Sequence, residues 1–163
     1  TLHTLFPYTT LFRSVRGRLR EQRFAAEMPL ALVQRRVVPE ALREVISPRD
    51  VPALRALAQL RPVLAQKDWG VSGSAGFELA TGIEALHDSS DLDLILRTPE
   101  PLERRDAGDL LAILDTAACV VDLQLQTPFG AVALREWAGS SRRVLLKAAS
   151  GAHLVIDPWQ ALI

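Results

Sequence analysis

Asp91 and Asp93 stand two apart in the run Ser90-Asp91-Leu92-Asp93-Leu94-Ile95-Leu96. Read as a strand, that spacing sends both carboxylates to one face while Leu92, Leu94 and Leu96 enter a core on the other. Two carboxylates about 7 Å apart on one edge make a cradle for a hard cation. The alternation repeats in Val121-Asp122-Leu123-Gln124-Leu125, where Asp122 and Gln124 share a face. If the two strands are neighbours, Asp122 completes a cluster of three carboxylates. Such a cluster makes physical sense around a metal, because without one three like charges repel and raise one another's pKa. Upstream, Gly73-Ser74 falls between an expected strand and an expected helix, where backbone amides and a hydroxyl can hold a phosphate at the helix N-terminus. Gly73 permits close backbone approach, and Ser74 is expected to cap the helix and donate. An Asp-x-Asp edge also occurs as a solvated strand edge, and a Gly-Ser turn is common. Their order is the stronger signal, with a further strand aspartate about 30 residues after the pair, and it points to metal-dependent phosphoryl chemistry.

The elements that must position these residues follow from periodicity and punctuation. Trp69 to Gly73 reads as a short strand running into a glycine turn, and Ser74 to Thr81 as a helix closed by Gly82. Leu92 to Leu96 is a strand, Pro101 to Ala118 a long helix, and Val120 to Gln126 a strand that turns at Thr127-Pro128-Phe129-Gly130 into a hairpin partner, Ala131 to Leu134. Arg143 to Lys147 and His153 to Ile156 form a second hairpin. Before this region, Val51 to Leu64 carries a helical apolar stripe with Pro62 placed to kink or end it, near an expected hinge between two lobes. Leu30 to Val38 resembles a strand, with a short helix from Pro39 through Ile46 and a turn at Ser47-Pro48-Arg49-Asp50. Residues 15–27 are basic and read as a short amphipathic helix after Gly17. The pattern argues for an α/β or α+β fold, a mixed sheet flanked by helices with a small N-terminal lobe. The expected organisation is an N-terminal lobe over 15–66 and a catalytic domain over 67–163. Residues 1–14 differ in character from the rest. The string Thr4 to Ser14 reads like an in-frame translation of a sequencing adapter, so the authentic sequence is expected to begin around Val15.

Composition narrows the partners. With 163 residues, 48% of them hydrophobic, and 19 basic against 19 acidic side chains, the chain can bury a real core and lacks the positive excess of a general nucleic-acid binder. No apolar run approaches the length of a membrane span. The single Cys119 lies in an apolar run, which reads as buried core filler in a reducing, cytoplasmic compartment. His87 and His153 have no neighbours at a zinc spacing, and Glu78 reads first as helix-stabilising and second as orienting ribose or a backbone amide. Trp69, Trp137 and Trp159 read first as core anchors and second as stacking partners for an adenine.

The run Gly73-Ser74 to Thr81-Gly82, then Ser90 to Leu94, then Asp122 on its strand, resembles the nucleotidyltransferase superfamily typified by DNA polymerase β. Within it, Val121 to Trp137, Arg143 to Lys147 and Asp157-Pro158-Trp159 look like the malonate decarboxylase holo-acyl-carrier-protein synthases, also called phosphoribosyl-dephospho-CoA transferases. The likeness covers most of residues 15–163. It implies transfer of a prosthetic group from 2'-(5''-triphosphoribosyl)-3'-dephospho-CoA to a serine of the apo acyl carrier protein of malonate decarboxylase, releasing pyrophosphate. In that chemistry Asp91, Asp93 and Asp122 would hold two Mg2+ ions, and Asp122 or a water would take the serine proton. Gly73 and Ser74 would grip the outgoing pyrophosphate, with Lys147 or Arg143 balancing its charge. Two other readings share these motifs: a minimal nucleotidyltransferase acting on another protein or small molecule, and an inactive module that only docks a carrier protein.

Overall fold

The computed structural model describes residues 10–16 and 23–161. The chain divides into two compact units between Arg36 and Val37. In the first, β1 (Thr10–Arg16) and β2 (Arg23–Pro29) pair antiparallel through seven residue pairs, Thr10 opposite Pro29 and Arg16 opposite Arg23. This corrects the helix expected after Gly17, within 15–27, in its described part. Apolar residues there are too sparse to enforce a helical stripe, and the ladder to β1 satisfies the backbone instead. Residues 1–9 of the adapter-like string and 17–22 of that expected helix lie outside the described residues. The strand expected over Leu30 to Val38 is also corrected: Leu30–Leu32 is a single 3-10 turn and 33–38 has no regular secondary structure and no ladder partner among the described residues.

The second unit is built on a six-stranded sheet in the order β3-β4-β5-β6-β7-β8. Its strands are β3 (Trp69–Val71), β4 (Leu92–Arg97), β5 (Val121–Thr127), β6 (Gly130–Ala133), β7 (Val144–Ala148) and β8 (Gly151–Val155). Only β4 and β5 run parallel, and every other neighbouring pair is antiparallel. A parallel pair needs a crossover, and α3 (Arg104–Leu114) supplies it. The helix is shorter than the expected Pro101 to Ala118. At its start Glu103 is extended, while the Leu102 carbonyl accepts from Trp137 Nε1 at 2.7 Å; at its end the chain turns at Asp115, where Thr116 Oγ1 donates back to the Ile113 carbonyl.

The alternation in β4 and β5 is realised. Leu92, Leu94, Leu96, Val121, Leu123 and Leu125 are buried on one face, under a core that includes Ala56, Leu57, Leu60 and Leu64 of α1 (Pro52–Leu64) and Ala107, Leu110 and Leu114 of α3. Pro62 lies inside α1 without ending it, since the helix runs on to Leu64. The other face, with Asp93, Ile95, Arg97, Asp122, Gln124 and Gln126, is half-buried or exposed. That face is partly roofed at the β3 edge by the 3-10 helix Pro39–Leu42, which is what remains of the expected helix through Ile46. A side chain at Gly70 would come within 2.5 Å of Glu40 N, so only glycine lets this roof close. Arg97 Nε donates to Glu40 Oε1 at 2.7 Å and pins it from below. Burial opposes ionisation of Glu40, but the Arg97 hydrogen bond and charge outweigh it and lower the Glu40 pKa.

Both expected hairpins form, β5-β6 and β7-β8. The first ends one residue early, because Leu134 opens α4 (Leu134–Ala138) instead of finishing the strand. Leu134 and Trp137 are the buried pair that turns this short helix inward, a spacing of three that could have revealed it. All three tryptophans serve the core. Trp69 is 2% exposed, while Trp137 packs edge-on against Trp159 at 5.2 Å. Trp159 Nε1 donates to the Thr98 carbonyl at 2.7 Å. Cys119 is only half-buried, which corrects its reading as a fully buried residue; burial and the nearby Asp91 charge raise its thiol pKa. Among the described residues no helix is long and apolar enough to cross a membrane.

Candidate active site

The parallel register sets Asp93 directly opposite Asp122, with Asp91 just ahead of β4. One carboxylate oxygen from each of Asp91, Asp93 and Asp122 lies within 4.8 Å of the others, two of these residues half-buried and Asp122 exposed. Among the described residues this is the group of acidic, histidine or cysteine side chains that could hold a metal ion. Hard oxygen donors converging from two strands suit a divalent cation of the Mg2+ kind. The cluster forms because both strands begin at the same end of the sheet, which only a parallel pair with a crossover allows.

The backbone at Gly73 lies against Asp93 of this cluster. Ser72 N–H donates to the Asp93 carbonyl at 2.9 Å, extending the β3-β4 pairing by one step. Gly73 then takes φ +59° and opens α2 (Gly73–Thr81) beside the Asp93 side chain. A Cβ on Gly73 would lie 2.6 Å from Asp93 Cγ and 2.8 Å from Asp93 Cβ, so the left-handed turn and the missing side chain are both required. The N-terminal turn of α2 thus faces the carboxylate edge. Ser74 is half-buried at its second position; the helix cap is Ser72, without a side-chain capping bond, and this corrects the expectation that Ser74 caps the helix. The expected stop at Gly82 is observed, at φ +73°.

Glu78 on α2 is the residue whose structural role the sequence understated. It is 5% exposed and takes Arg49 Nη1 on both carboxylate oxygens, at 2.7 and 2.8 Å. The amides of Ala85 and Leu86 also donate to its Oε2. Burial alone would raise the Glu78 pKa, but these two amides and Arg49 reverse it and hold it below the usual carboxylate range. Glu78 therefore latches the loop after α2, which leads to Ser90 and Asp91, onto the helix beside the cluster. No local signal pairs it with Arg49, 29 positions away.

Lys147 is exposed on β7, opposite Ala131 of β6. Ala131 in turn faces Gln126 of β5, so Lys147 shares the open face but lies four residues along and two strands across from Asp122, roughly 16 Å away by strand geometry. Arg143 is exposed just before β7. A nearer cation was missed by sequence reasoning: Arg135 of α4 pairs with Asp115 at 2.6 Å. Its pKa is raised first by that hydrogen bond and also by the Asp122 charge. His87 is exposed and bonded to Ser89, and His153 to Ser150, so neither joins the cluster. A separate cavity of about 480 Å³, lined by Arg104, Trp137, Arg142 and Asp157 among others, shares no residue with it.

Residues 41–158 match the family described as phosphoribosyl-dephospho-CoA transferase MdcG C-terminal domain. A phosphoribosyl-dephospho-CoA transferase of Pseudomonas fluorescens is 62% identical over 147 residues, covering 89% of this chain and 71% of that protein. One from Azotobacter vinelandii is 57% identical over 153 residues, covering 90% and 72%, and one from Pseudomonas aeruginosa 55% over 150 residues, covering 90% and 71%. No solved structure matches the chain. The chain belongs to the phosphoribosyl-dephospho-CoA transferase family and is a transferase enzyme.

Proposed function

We propose that the chain transfers the phosphoribosyl-dephospho-CoA group from 2'-(5''-triphosphoribosyl)-3'-dephospho-CoA to a serine of the apo acyl carrier protein of malonate decarboxylase, with Mg2+ as its metal. The observation that carries this reading is the convergence of Asp91, Asp93 and Asp122 within 4.8 Å beside the Gly73 turn. Mg2+, held by those three carboxylates, would neutralise charge on the triphosphate as the phosphorus–oxygen bond is exchanged. The serine oxygen forms a bond to the phosphorus nearest the ribose, the bond from that phosphorus to the bridging oxygen breaks, and pyrophosphate leaves. Asp122, the exposed member of the cluster, is open to an incoming hydroxyl and is the group assigned to take its proton. Gly73 and Ser74, at the start of α2, receive the departing phosphates, where helix amides favour negative charge. Lys147, farther along the same open face, is assigned to the diphosphate of the dephospho-CoA arm.

Intact-mass spectrometry of the apo carrier protein, after incubation with Mg2+, the triphosphoribosyl donor and the enzyme, tests the reading. A mass gain equal to the phosphoribosyl-dephospho-CoA group, absent with Asp93→Asn, is expected. A nucleotidyl gain from ATP in its place would overturn it.

A further inference from the structure

Two positions beyond Asp122 on β5, Gln124 lies on the same open face. Its Oε1 is buried and has no hydrogen-bond partner. Its ladder neighbours are Ile95 on β4 and Ala133 on β6, neither of which carries a side-chain donor. Along the strand the flanking side chains on that face are Asp122 and Gln126; Gln126 carries an amide donor, but neither side chain bonds to Gln124 Oε1. An orphaned buried acceptor is destabilising, and native proteins keep few of them without a reason. Leu or Val would fill the same place in a strand at no such cost.

We propose that Gln124 is a substrate-binding residue that accepts a hydrogen bond from a hydroxyl of the ribose bearing the reacting phosphate. The inference rests on the transfer reading above. Two strand residues span about 7 Å, close to the length of one ribose measured from a phosphorus seated at the Asp cluster. The partner must donate, because a carbonyl oxygen only accepts. Phosphate oxygens do not donate, whereas ribose hydroxyls do. The serine hydroxyl of the carrier is ruled out by position, since it must reach the phosphorus itself.

Calorimetric titration with triphosphoribosyl-dephospho-CoA, without carrier protein, tests the assignment. Gln124→Leu is expected to bind about tenfold more weakly, equivalent to about 1.4 kcal/mol, with a Tm no lower than wild type. A donor analogue lacking both hydroxyls on that ribose should lose about tenfold against wild type and nothing further against Gln124→Leu, the coupling expected of a direct contact. Binding by Gln124→Leu within twofold of wild type, equal losses for the analogue in both proteins, or a Tm that falls along with affinity would each overturn the proposal. Transfer to the carrier, read by mass on the same samples, separates the two ideas. A wild type that binds but does not transfer refutes the transfer reading and leaves Gln124 to be judged by the binding cycle. A wild type that does not bind the donor refutes both.

Discussion

Gly73→Ala isolates how the carboxylate cluster is placed. The added methyl would sit 2.6 Å from Asp93 Cγ and 2.8 Å from its Cβ, with the carboxylate oxygen nearer still. Turning the carboxylate cannot relieve a clash with Cβ, and the Ser72 amide bond to the Asp93 carbonyl at 2.9 Å holds the two backbones at this spacing. Restoring an ordinary 3.4 Å separation moves Cγ by about 0.8 Å, and its oxygens farther. A misplacement of about 1 Å at a reacting centre costs about 100-fold in rate. The backbone adds a second cost, since an alanine at φ +59° loses about 1–2 kcal/mol. In a domain of this size that lowers Tm by about 2–8 °C. Gly82→Ala supplies the control, because Gly82 has φ +73° with nothing within 4 Å of its added Cβ. Gly73→Ala should lose at least as much Tm as Gly82→Ala, because it incurs the clash as well as the φ penalty, and only Gly73→Ala should lose about 100-fold or more in kcat for carrier modification. A Gly73→Ala enzyme within threefold of Gly82→Ala in kcat would refute the argument that glycine is there to seat Asp93.

The remaining predictions concern charge and backbone. Mg2+ at about ten times its dissociation constant should stabilise the wild type by about 1.4 kcal/mol, read as a rise in Tm, and Asp93→Asn should lose both that rise and activity; an equal rise in the variant would remove Asp93 from the metal site. Glu78→Gln should cost about 2 kcal/mol at neutral pH, by weakening a buried pair whose Arg49 partner keeps some solvent access. Because the folded pKa of Glu78 is lowered, its contribution is present above the ordinary carboxylate range and lost as pH falls through the folded value, so the difference from wild type should shrink below about pH 4 in denaturant melts. A difference that stays constant to pH 3 would show that the Glu78 charge is irrelevant. Gly130→Ala, at φ +156° with a new Cβ 2.6 Å from the Lys147 carbonyl, should destabilise by about 2 kcal/mol or more and loosen β6 from β7, seen as faster amide exchange at Lys147.

What could be read from the sequence was whatever a short window determines. Asp91, Asp93 and Asp122 were legible because strand alternation has a period of two, and an apolar-polar run of five residues is enough to assign both faces. The adjacency of the two strands needed only the further rule that a helix between them makes a parallel crossover. Gly82 was legible for the same local reason, a glycine after the last helical residue. The misread segments lacked that local redundancy. Residues 23–27 carry no clear period, so their partner in β1 decides their conformation, and Leu134 to Ala138 is too short for a helix to announce itself by propensity. Ser74 was misassigned as the cap by two residues, because the helix opens at Gly73, whose positive φ a serine-first rule does not expect.

The site's supporting parts are invisible in sequence for a different reason: they are contacts between distant positions. Arg49 meets Glu78 across 29 residues and Glu40 meets Arg97 across 57, and nothing local marks either pair. Both tie segments flanking the carboxylate edge to the sheet. Arg49 and Glu78 fix α2 and the loop leading to Asp91, while Glu40 and Arg97 hold the 3-10 helix over Gly70, the residue before the strand end that carries Ser72 and Gly73. The three carboxylates repel one another, so their common geometry must be imposed by the backbone around them. These two ion pairs, with Gly73 wedged against Asp93, help to impose it. Loosening either pair should therefore weaken metal affinity before it unfolds the sheet, because the aspartates are set by loop positions and the sheet by the buried leucines of β4 and β5.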